Sequence, residues 1–380
     1  MSVWGCVVSL VALLGHLALT RALVNALFRI YVPRWLSRFR FVGVGLLSLT
    51  VGGWMLGGIA LGGPAIARTG RWEDVPLGWQ LYMILCMVAL PVGAVLNHIR
   101  RHRPPPRAQL SCRGEFADAV EALGRRPAGT FLGRLLSYLP RNQIYQPEFT
   151  HKEIGLARLP SQWDGLSILH LSDLHMAGSP DRSFYEWALA RATAEPSDLI
   201  VCTGDILDDL VYRDWLPSTL GRLAAPLGCW FVLGNHDARH GPAQIRQAML
   251  DIGWQHVGGR WQAIEHRGER LILGGCESPW LAIEPPLPPV EAGFRLLLSH
   301  GPRCFGWAAS NGIDLMLAGH VHGGQVNLPL LGPVYGHGYD AGIFQAGPTV
   351  LHIVRGLGQL TPIRLHCRPE VTRLVLRRGN

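Results

Sequence analysis

Charged residues are scarce in this chain: they make up 16% of its 380 residues, whereas hydrophobic residues make up 48%. Such a composition is unusual for a soluble enzyme and indicates a membrane part. Acidic residues are scarcest in the first 110 positions, which hold eleven arginines but only Glu73 and Asp74, a net charge of +9. Because the whole chain carries +8, residues 111–380 are almost neutral. That part lacks the cationic excess that nucleic-acid binding requires, so no nucleic-acid partner is expected.

No Cys-x-x-Cys pair occurs among the eight cysteines of the chain. Cys6 and Cys86 lie in apolar stretches, and Cys202 and Cys229 lie in or beside predicted core strands. This placement predicts small buried side chains rather than a disulfide framework, which fits a reducing compartment.

A cleavable signal peptide is not expected either. The first apolar stretch has no basic segment before it, since its first arginine is Arg21, and no Ala-x-Ala site follows it. Three apolar stretches instead predict three transmembrane helices, at about 3–28, 41–63 and 77–96, within a membrane domain of residues 1–97. The second and third stretches have the length that a bilayer requires and no charge, whereas the first is marginal.

Arginines flank these predicted spans unevenly. Five lie between residue 20, after which the apolar run of the first span is first interrupted, and the second span, and four follow the third. The loop between spans two and three balances Arg68 and Arg71 against Glu73 and Asp74. Basic segments stay on the cytoplasmic side of a membrane. The pattern therefore predicts a multi-pass protein of the inner (cell) membrane, with its N-terminus outside and its C-terminal domain in the cytoplasm.

Two features of the spans have two interpretations each. Gly53, Gly57, Gly58 and Gly62 either form small-xxx-small packing motifs or reflect the general frequency of glycine in membrane helices. His16 is either a functional polar group within the membrane or a residue that is solvated or paired with another helix.

Residues 98–150 are predicted to form a basic linker. Three prolines at 104–106 stiffen its start, and 116–123 and 131–139 are predicted as short amphipathic helices. The second of these helices either lies on the cytoplasmic membrane surface or packs against the domain that follows.

Five short polar clusters follow the linker, and each comes after an apolar run that predicts a buried strand. The predicted strands are 166–171, 199–203, 230–233, 294–298 and 314–318. In the same order, the clusters are Asp173-Leu174-His175, Gly204-Asp205, Gly234-Asn235-His236-Asp237, Ser299-His300 and Gly319-His320-Val321-His322-Gly323-Gly324-Gln325. Open α/β folds bind ligands at the C-terminal ends of their strands, so these side chains are expected to converge on one rim. Seven oxygen and imidazole ligands on one rim can hold two metal ions.

The order D-x-H, G-D, G-N-H-D, H and G-H-x-H resembles the calcineurin-like metallophosphoesterase family over roughly residues 150–380. The extended ending at 319–325 and the run Arg355-Gly356-Leu357-Gly358 resemble one subgroup, which contains bacterial membrane-associated phosphodiesterases and a vertebrate relative with transmembrane helices. The resemblance implies an α/β fold, a four-layer α/β/β/α sandwich over residues 151–380 preceded by the three transmembrane helices. It also implies a metal-dependent phosphoric ester hydrolase.

The resemblance further implies a site for two divalent ions. Hard oxygen and imidazole donors without a thiolate suit Mn, Fe or Zn. The first ion is expected to bind Asp173, His175, Asp205 and His322, and the second to bind Asp205, Asn235, His300 and His320. Asp205 is expected to bridge the ions, because one carboxylate offers two oxygens.

Other roles follow from the same resemblance. His236 is the expected general acid, and Asp237 is expected to fix its tautomer. Asp208 is expected to support the ligands from behind, whereas Asp209 is expected to be a surface or helix-capping acid. Gly204, Gly234 and Gly319 are expected at tight turns or close backbone approaches. The candidate substrate-binding residues are Arg239, Gly323, Gly324 and Arg355. Glu277 stands after strand 271–274, near the place where relatives often carry an acid, and it either substitutes for that acid or has no role.

The predicted function is that of a membrane-anchored, dinuclear-metal-dependent phosphodiesterase or pyrophosphatase, with a phosphorylated small molecule or lipid as substrate and the membrane as its partner. Cleavage of UDP-2,3-diacylglucosamine to lipid X and UMP is one activity within the resembled group. An alternative is a phosphodiesterase or phosphatase that acts on soluble substrates such as cyclic nucleotides or phosphoproteins. A non-enzymatic membrane scaffold is a third interpretation, and the intact ligand set argues against it.

Overall fold

A computed structural model of the protein describes residues 2–29, 65–281, 293–334, 338–359 and 361–379, together with residues 46, 49, 53 and 287. The chain divides into two compact units, one of Met1–Pro104 with Asn327–His337 and one of Pro105–Val326 with Gly338–Asn380. The predicted second span, 41–63, lies outside the described residues except for three isolated positions, 46, 49 and 53.

The described helices are α1 (Val3–Arg29), α2 (Ala65–Thr69), α3 (Leu77–Arg101), α4 (Ala119–Leu123), α5 (Phe131–Leu136), α6 (Arg182–Ala192), α7 (Pro242–Asp251) and α8 (Phe305–Ser310). The strands are β1 (Gln109–Phe116), β2 (Glu148–Leu156), β3 (Ser167–Leu171), β4 (Leu199–Cys202), β5 (Cys229–Phe231), β6 (Gln255–His256), β7 (Trp261–His266), β8 (Glu269–Cys276), β9 (Phe294–Ser299), β10 (Leu315–Ala318), β11 (Asn327–Leu328), β12 (Gly332–Pro333), β13 (Gly342–Ala346), β14 (Thr349–Ile353) and β15 (Glu370–Arg378). Short 3-10 helices lie at Trp72–Asp74, Ser161–Trp163, Leu210–Ser218, Leu220–Arg222, Pro302–Cys304 and His322–Gly324.

Two apolar helices, α1 and α3, dominate the first unit. Within the described residues, Val3–Leu27 and Leu77–Arg101 are long and apolar enough to cross a membrane. Nδ1 of His16 on α1 lies 2.7 Å from the hydroxyl of Tyr82 on α3. Of the two interpretations of His16, the structure therefore supports the residue paired with another helix.

The hairpin of β11 and β12 belongs to the same first unit. Nδ2 of Asn97 on α3 lies 3.2 Å from the carbonyl oxygens of Pro329 and Leu330, and Nδ2 of Asn25 on α1 donates to the carbonyl of Pro333 at 3.1 Å. These bonds satisfy two asparagine side chains that are buried in otherwise apolar helices, where an unpaired amide is costly.

Two mixed β-sheets form the second unit. The first has the order β1-β2-β15-β3-β4-β5-β6, and the second has the order β13-β14-β10-β9-β8-β7. The run β3-β4-β5 is parallel, and so is the run β8-β9-β10-β14. All five predicted rim strands are confirmed, as β3, β4, β5, β9 and β10. Each polar cluster therefore follows the C-terminal end of a strand within a parallel run.

Buried apolar side chains pack both sheets and their helices into a mixed α/β fold. One cluster contains Val201 and Val232 of the first sheet together with Leu298 and Leu317 of the second. A separate cluster joins α6 and α7 to β3, β4 and β5, and a third joins α8 to β9, β10 and β14. The helices thereby hold the strands whose ends carry the polar clusters.

The predicted linker differs from the structure. Residues 109–116 form β1, which pairs antiparallel with β2, and the second unit begins at Pro105. The predicted helix at 116–123 shortens to α4, while the helix predicted at 131–139 is found as α5. Most of β1 is exposed at the edge of its sheet, so it lacks the alternating apolar pattern by which a strand is recognised in a sequence.

Candidate metal centre

Five of the predicted metal ligands have a left-handed backbone although none is glycine. Their φ angles are 49° at Asp173, 43° at His175, 54° at Asp205, 72° at His320 and 49° at His322. Each such residue costs about 1–3 kcal/mol of backbone strain, which persists only where the surrounding structure imposes it, and such strain clusters at functional sites. The loops after β3, β4 and β10 thus turn sharply so that these side chains point inward to one site.

The first donor cluster contains Asp173, His175 and His322. Nε2 of His322 lies 3.1 Å from Nε2 of His175 and 3.3 Å from Oδ1 of Asp173. Nδ1 of His175 lies 2.9 Å from Oδ1 of Asp208, which can only accept a hydrogen bond when ionised. The proton of neutral His175 therefore lies on Nδ1, and its Nε2 lone pair faces the cluster.

The second donor cluster contains Asn235, His300 and His320. Nε2 of His300 lies 3.0 Å from Oδ1 of Asn235 and 3.1 Å from Nδ1 of His320. Nδ1 of His300 donates to the carbonyl oxygen of Thr203 at 2.8 Å, which leaves the Nε2 lone pair directed at the cluster. When Nε2 of His300 carries no proton, it and Oδ1 of Asn235 present two electron pairs to each other at 3.0 Å, an arrangement that fits a shared cation.

Asp205 joins the two clusters. Its Oδ2 lies 3.5 Å from Nε2 of His175 and 3.2 Å from Nε2 of His300. The same residue contributes to the group formed by Asp205, His300 and His320. This position fits the bridging role that the sequence predicts, and the oxygen and imidazole donors fit two divalent ions.

The carboxylates make this rim attractive to positive charge. Burial acts to lower the pKa of His300, but the charges of Asp205 and Asp173 outweigh it and raise the pKa to about 9. Burial likewise opposes the protonation of His175, yet the hydrogen bond and charge of Asp208 raise its pKa to about 9. The same carboxylates would also stabilise a metal cation bound at this rim.

Asp208 supports two functional histidines at once. Its Oδ1 lies 2.9 Å from Nδ1 of His236 as well as 2.9 Å from Nδ1 of His175. The sequence predicts Asp208 behind the metal ligands, and its contact with Nδ1 of His175 agrees with that position. Asp209 caps the 3-10 helix at Leu210–Ser218, because its side chain accepts a hydrogen bond from the amide of Val211 at 3.0 Å.

The expected role of Asp237 as the partner of His236 is wrong. The carboxylate of Asp237 is fully buried and accepts hydrogen bonds from the backbone amides of Gly234, Asp205, Ile206 and Leu207, at 2.8 to 3.2 Å. It therefore ties the loop after β4 to the loop after β5. The carboxylate beside the ring of His236 is instead that of Asp208. Although His236 and Asp237 are adjacent in sequence, their side chains contact different groups.

Two further residues fix the loop that carries Asn235. A Cβ atom at Gly234 would lie 2.2 Å from Oδ1 of Asp205, so only glycine allows this approach. Oε1 of Glu277 accepts a hydrogen bond from the amide of Leu233 at 2.7 Å and lies 2.7 Å from Nε2 of His256. Glu277 follows β8 of the second sheet and thus fixes the end of β5 in the first sheet by this hydrogen bond.

The candidate substrate-binding residues differ in their surroundings. Arg239 is exposed on the turn after His236. Arg355 is instead paired with two carboxylates, at 2.9 Å from Oε2 of Glu370 and 2.5 Å from Oε2 of Glu148. Gly323 and Gly324 are buried, and a Cβ at Gly323 would meet Cγ of Arg355 at 2.7 Å. Arg355 and Gly323 therefore have structural contacts within the protein, and the contact of Arg355, Gly323 and Gly324 with substrate stays a prediction.

Two residues at the site carry no signal in the sequence. The ring of Trp280 lies 5.3 Å from that of His300 and 5.0 Å from that of His320, centroid to centroid, and so covers the second cluster. The fully buried side chain of Arg364 donates to the carbonyl of Gly358 at 2.6 Å, and its Nη2 lies 3.2 Å from Nδ1 of His322. Neither residue belongs to a short motif, and only the fold brings them to the rim.

A buried polar chain leads from the middle of the first sheet to the second cluster. Nζ of Lys152 lies 3.1 Å from Nε2 of His352, whose Nδ1 lies 3.0 Å from Nδ1 of His170. Because an ammonium only donates, Nε2 of His352 accepts and its Nδ1 donates to His170, which in turn donates from Nε2 to Oγ1 of Thr203 at 3.0 Å. Burial and the charge of Lys152 lower the pKa of His170 to about 3, which keeps this ring neutral. The carbonyl of Thr203 then receives the hydrogen bond of His300.

Comparisons with known proteins agree with this geometry. A family model described as calcineurin-like phosphoesterase matches residues 166–324, which contain every residue of both donor clusters. The phosphodiesterase YaeI of Escherichia coli is 34% identical over 223 residues, which cover 55% of this chain and 81% of that protein. The uncharacterized metallophosphoesterase YkuE of Bacillus subtilis is 29% identical over 257 residues, 64% of this chain and 89% of that protein. A transmembrane protein with metallophosphoesterase domain from Danio rerio is 24% identical over 321 residues, 79% of this chain and 72% of that protein.

Proposed function

Because this chain belongs to the calcineurin-like phosphoesterase family, we propose that it is a membrane-anchored hydrolase of phosphodiester or pyrophosphate bonds that acts with two metal ions. Membership of the family makes it a metal-dependent phosphoric ester hydrolase. The observation that carries the two-metal proposal is the position of Oδ2 of Asp205 within 3.5 Å of both His175 and His300. One carboxylate oxygen between two sets of donors is the arrangement that a pair of ions requires.

Seven side chains would hold the two ions. Asp173, His175, Asp205 and His322 form one donor set, and Asp205, Asn235, His300 and His320 form the other. Mn, Fe and Zn are the ions that this mixture of carboxylate, amide and imidazole suits. Divalent ions bound there supply positive charge for the phosphate oxygens and lower the pKa of water.

His236 would give a proton to the leaving group. Its Nδ1 lies 2.9 Å from Oδ1 of Asp208, a close contact that places the ring beside this carboxylate, and Nε2 would be the nitrogen that exchanges a proton with substrate. Burial opposes ionisation of Asp208, but its contacts with His175 and His236 outweigh burial and hold its pKa well below the usual value, so it remains a hydrogen-bond acceptor. Arg239, exposed three residues later, would contact a phosphate oxygen.

The substrate would be a lipid-linked or nucleotide-linked phosphate ester. Two helices that are apolar enough to cross a membrane support a substrate at the membrane, and UDP-2,3-diacylglucosamine is a specific candidate. The test is to strip the detergent-purified full chain of metal, reload it with Mn, Fe or Zn, and follow release of UMP from that lipid. Absence of UMP with all three metals would reject this substrate.

Hydrolysis of soluble substrates is the rival function. A panel that includes cyclic nucleotides, a phosphopeptide and bis(4-nitrophenyl) phosphate would distinguish the two. A higher kcat/KM for the cyclic nucleotide or phosphopeptide than for any lipid-linked ester would favour the rival. Absence of hydrolysis of every ester would support the scaffold interpretation instead.

The finer architecture and location are part of the same proposal. Helices packed on both sheets, with apolar contacts between the sheets, support a four-layer α/β/β/α sandwich. The arginines that follow 77–96 and those before 41–63 support three spans in the inner membrane and a cytoplasmic catalytic unit. A reporter that works only in the periplasm should be silent when fused after Asn380 and active when placed near Arg71. A periplasmic signal from the first fusion would reject the cytoplasmic location.

A further inference from the structure

Helix α5 exposes large apolar side chains on the surface of the second unit. We define the α5 surface as Phe131, Leu132, Leu135, Tyr138 and Leu139. The exposed fraction is 83% for Phe131 and 66% for Tyr138, and each of the three leucines is at least 42% exposed. Contiguous apolar surface of this kind marks an interaction site rather than an ordinary solvated surface.

The inner face of α5 explains why these residues cannot turn inward. Gly133 and Ser137 are buried, and a Cβ atom at Gly133 would lie 1.9 Å from Oγ of Ser179. The amide of Gly133 also donates to Oγ1 of Thr130 at 3.1 Å, which fixes the start of the helix. The small face therefore packs on the protein and the large apolar face points outward, which is the reverse of a helix that covers a soluble core.

Arginines surround the α5 surface without acidic residues between them. The segment from Gly124 to Tyr145 contains four arginines and no Asp or Glu. Arg125 pairs with Asp181 at 2.6 Å, whereas Arg134 and Arg141 are exposed. The guanidinium of Arg126 lies 4.3 Å above the ring of Tyr138. This segment is therefore basic, although residues 111–380 as a whole carry almost no net charge.

An anionic lipid bilayer matches both properties of the α5 surface. Exposed leucines and a phenylalanine enter the boundary between acyl chains and headgroups, tyrosine prefers the headgroup level, and arginines contact lipid phosphates. The first unit of the same chain has helices that are able to cross a bilayer, so the bilayer is close by. A protein partner would instead have to supply an apolar groove rimmed by acidic side chains.

Helix α5 also packs on the loop that follows the metal ligand His175. The amide of Gly129, just before α5, donates to the carbonyl of Gly178 at 2.8 Å, and Gly133 packs on Ser179. Gly178 follows the ligand His175 by three residues. A surface that rests on this loop would bring the rim near the lipid headgroups.

We propose that the α5 surface docks the catalytic unit on an anionic bilayer, so that a lipid-borne phosphate ester reaches the metal centre from the membrane surface. The second half of this statement rests on the proposed hydrolase activity, and the docking rests on the proposed membrane anchor.

The test measures the depth of a spin label in the full chain. Cys6 and Cys112, the cysteines that are not buried, are replaced by alanine, and a label is attached at Phe131→Cys or at Gln262→Cys. Gln262 is exposed on β7 of the second sheet and serves as the control. Both proteins are reconstituted in nanodiscs of phosphatidylethanolamine with phosphatidylglycerol, and relaxation by oxygen is compared with relaxation by a water-soluble nickel complex.

Docking predicts that oxygen relaxes the label at position 131 several-fold more effectively than the nickel complex does, with the opposite order at position 262. Nanodiscs of neutral phosphatidylcholine should reduce the immersion at 131. Equal accessibility of both labels to the nickel complex would overturn the proposal. Shielding of label 131 from both reagents, with broadening from a nearby label, would also overturn it in favour of a second copy of the chain.

Activity on bis(4-nitrophenyl) phosphate separates this proposal from the proposed function. A labelled protein that is immersed at position 131 but hydrolyses no phosphate ester would contradict the proposed function alone. A protein that hydrolyses the ester while label 131 stays in water would contradict docking alone.

Discussion

The carboxylate of Asp208 lies 2.9 Å from Nδ1 of His236. The same oxygen lies 2.9 Å from Nδ1 of His175, a donor of the first cluster. One side chain therefore sets the ring orientation of both the expected general acid and a metal ligand. This arrangement gives Asp208 a larger role than its place beyond the G-D motif suggests.

Replacement of Asp208 by asparagine should lower kcat and weaken metal binding by about 10–100-fold each, because the amide cannot accept from both rings with a full charge. Asp209→Asn is the matched control, since asparagine caps helices as well as aspartate does. Metal titration and kcat on bis(4-nitrophenyl) phosphate would be measured for both variants. Equal effects of the two substitutions would show that Asp208 has no special function.

The residues at the rim of the sheets could be predicted because each follows a short sequence pattern that marks the end of a strand. Asp173, Asp205 and His300 each follow a strand that is buried in a parallel run, and short apolar runs reveal such strands. The roles within the rim depend on backbone turns that no short pattern reports. His236 and Asp237 are neighbours in sequence, yet the left-handed turn at Asp205 brings three backbone amides to Asp237, and Asp208 lies beside His236.

The other differences between the sequence-based expectations and the structure arise from contacts between residues that are not neighbours in the sequence. Strand β1 is recognisable only through its pairing with β2, because its own side chains face solvent. Arg355 was expected to bind substrate, but its two carboxylate partners, Glu148 and Glu370, lie 207 and 15 residues away. Trp280 reaches the second cluster without any motif around it.

His236→Ala should retain both metal ions and lose activity selectively. For esters with poor leaving groups, kcat should fall by roughly 10²–10⁴-fold, because the proton donor is gone. For nitrophenyl esters, whose leaving group needs little protonation, the fall should be much smaller. An equal loss on both classes, or loss of metal, would mean that His236 is not the acid. His240→Ala, exposed four residues later, is the control.

Asp205→Ala should be the most damaging change among the ligands, because its carboxylate belongs to both donor clusters. Elemental analysis of the purified variant should find less than one equivalent of metal. Asn235→Ala removes a neutral donor from the second cluster alone, so one ion should be retained in full. Two full equivalents in the Asp205 variant would disprove the bridging position.

Glu370→Gln should destabilise the second unit without direct contact with the metal centre. Glu370 is buried and pairs with Lys152 at 2.8 Å and Arg355 at 2.9 Å. Its neutralisation leaves the buried Lys152 without a counter-charge and leaves Arg355 with Glu148 alone. Removal of one partner from a buried ion pair typically costs roughly 3–5 kcal/mol. Glu153→Gln removes a more exposed pair with Arg377 and is the control, for which little change is expected. Denaturation of the full chain in detergent, followed by tryptophan fluorescence, would measure the difference.

The effect of Glu370→Gln should depend on pH in a definite direction. Burial acts to raise the pKa of Glu370, but the charges of Arg355 and Lys152 outweigh it and hold the pKa well below the ordinary value of 4.5. A carboxylate with a depressed pKa in the folded state stabilises the fold fully above its unfolded value and loses that contribution as the pH falls through the folded value. The stability difference between the native chain and Glu370→Gln should therefore be constant near neutral pH and shrink below pH 4.5. A difference that instead grew on acidification would mean that Glu370 is protonated in the folded protein and that Lys152 and Arg355 are neutralised by other groups.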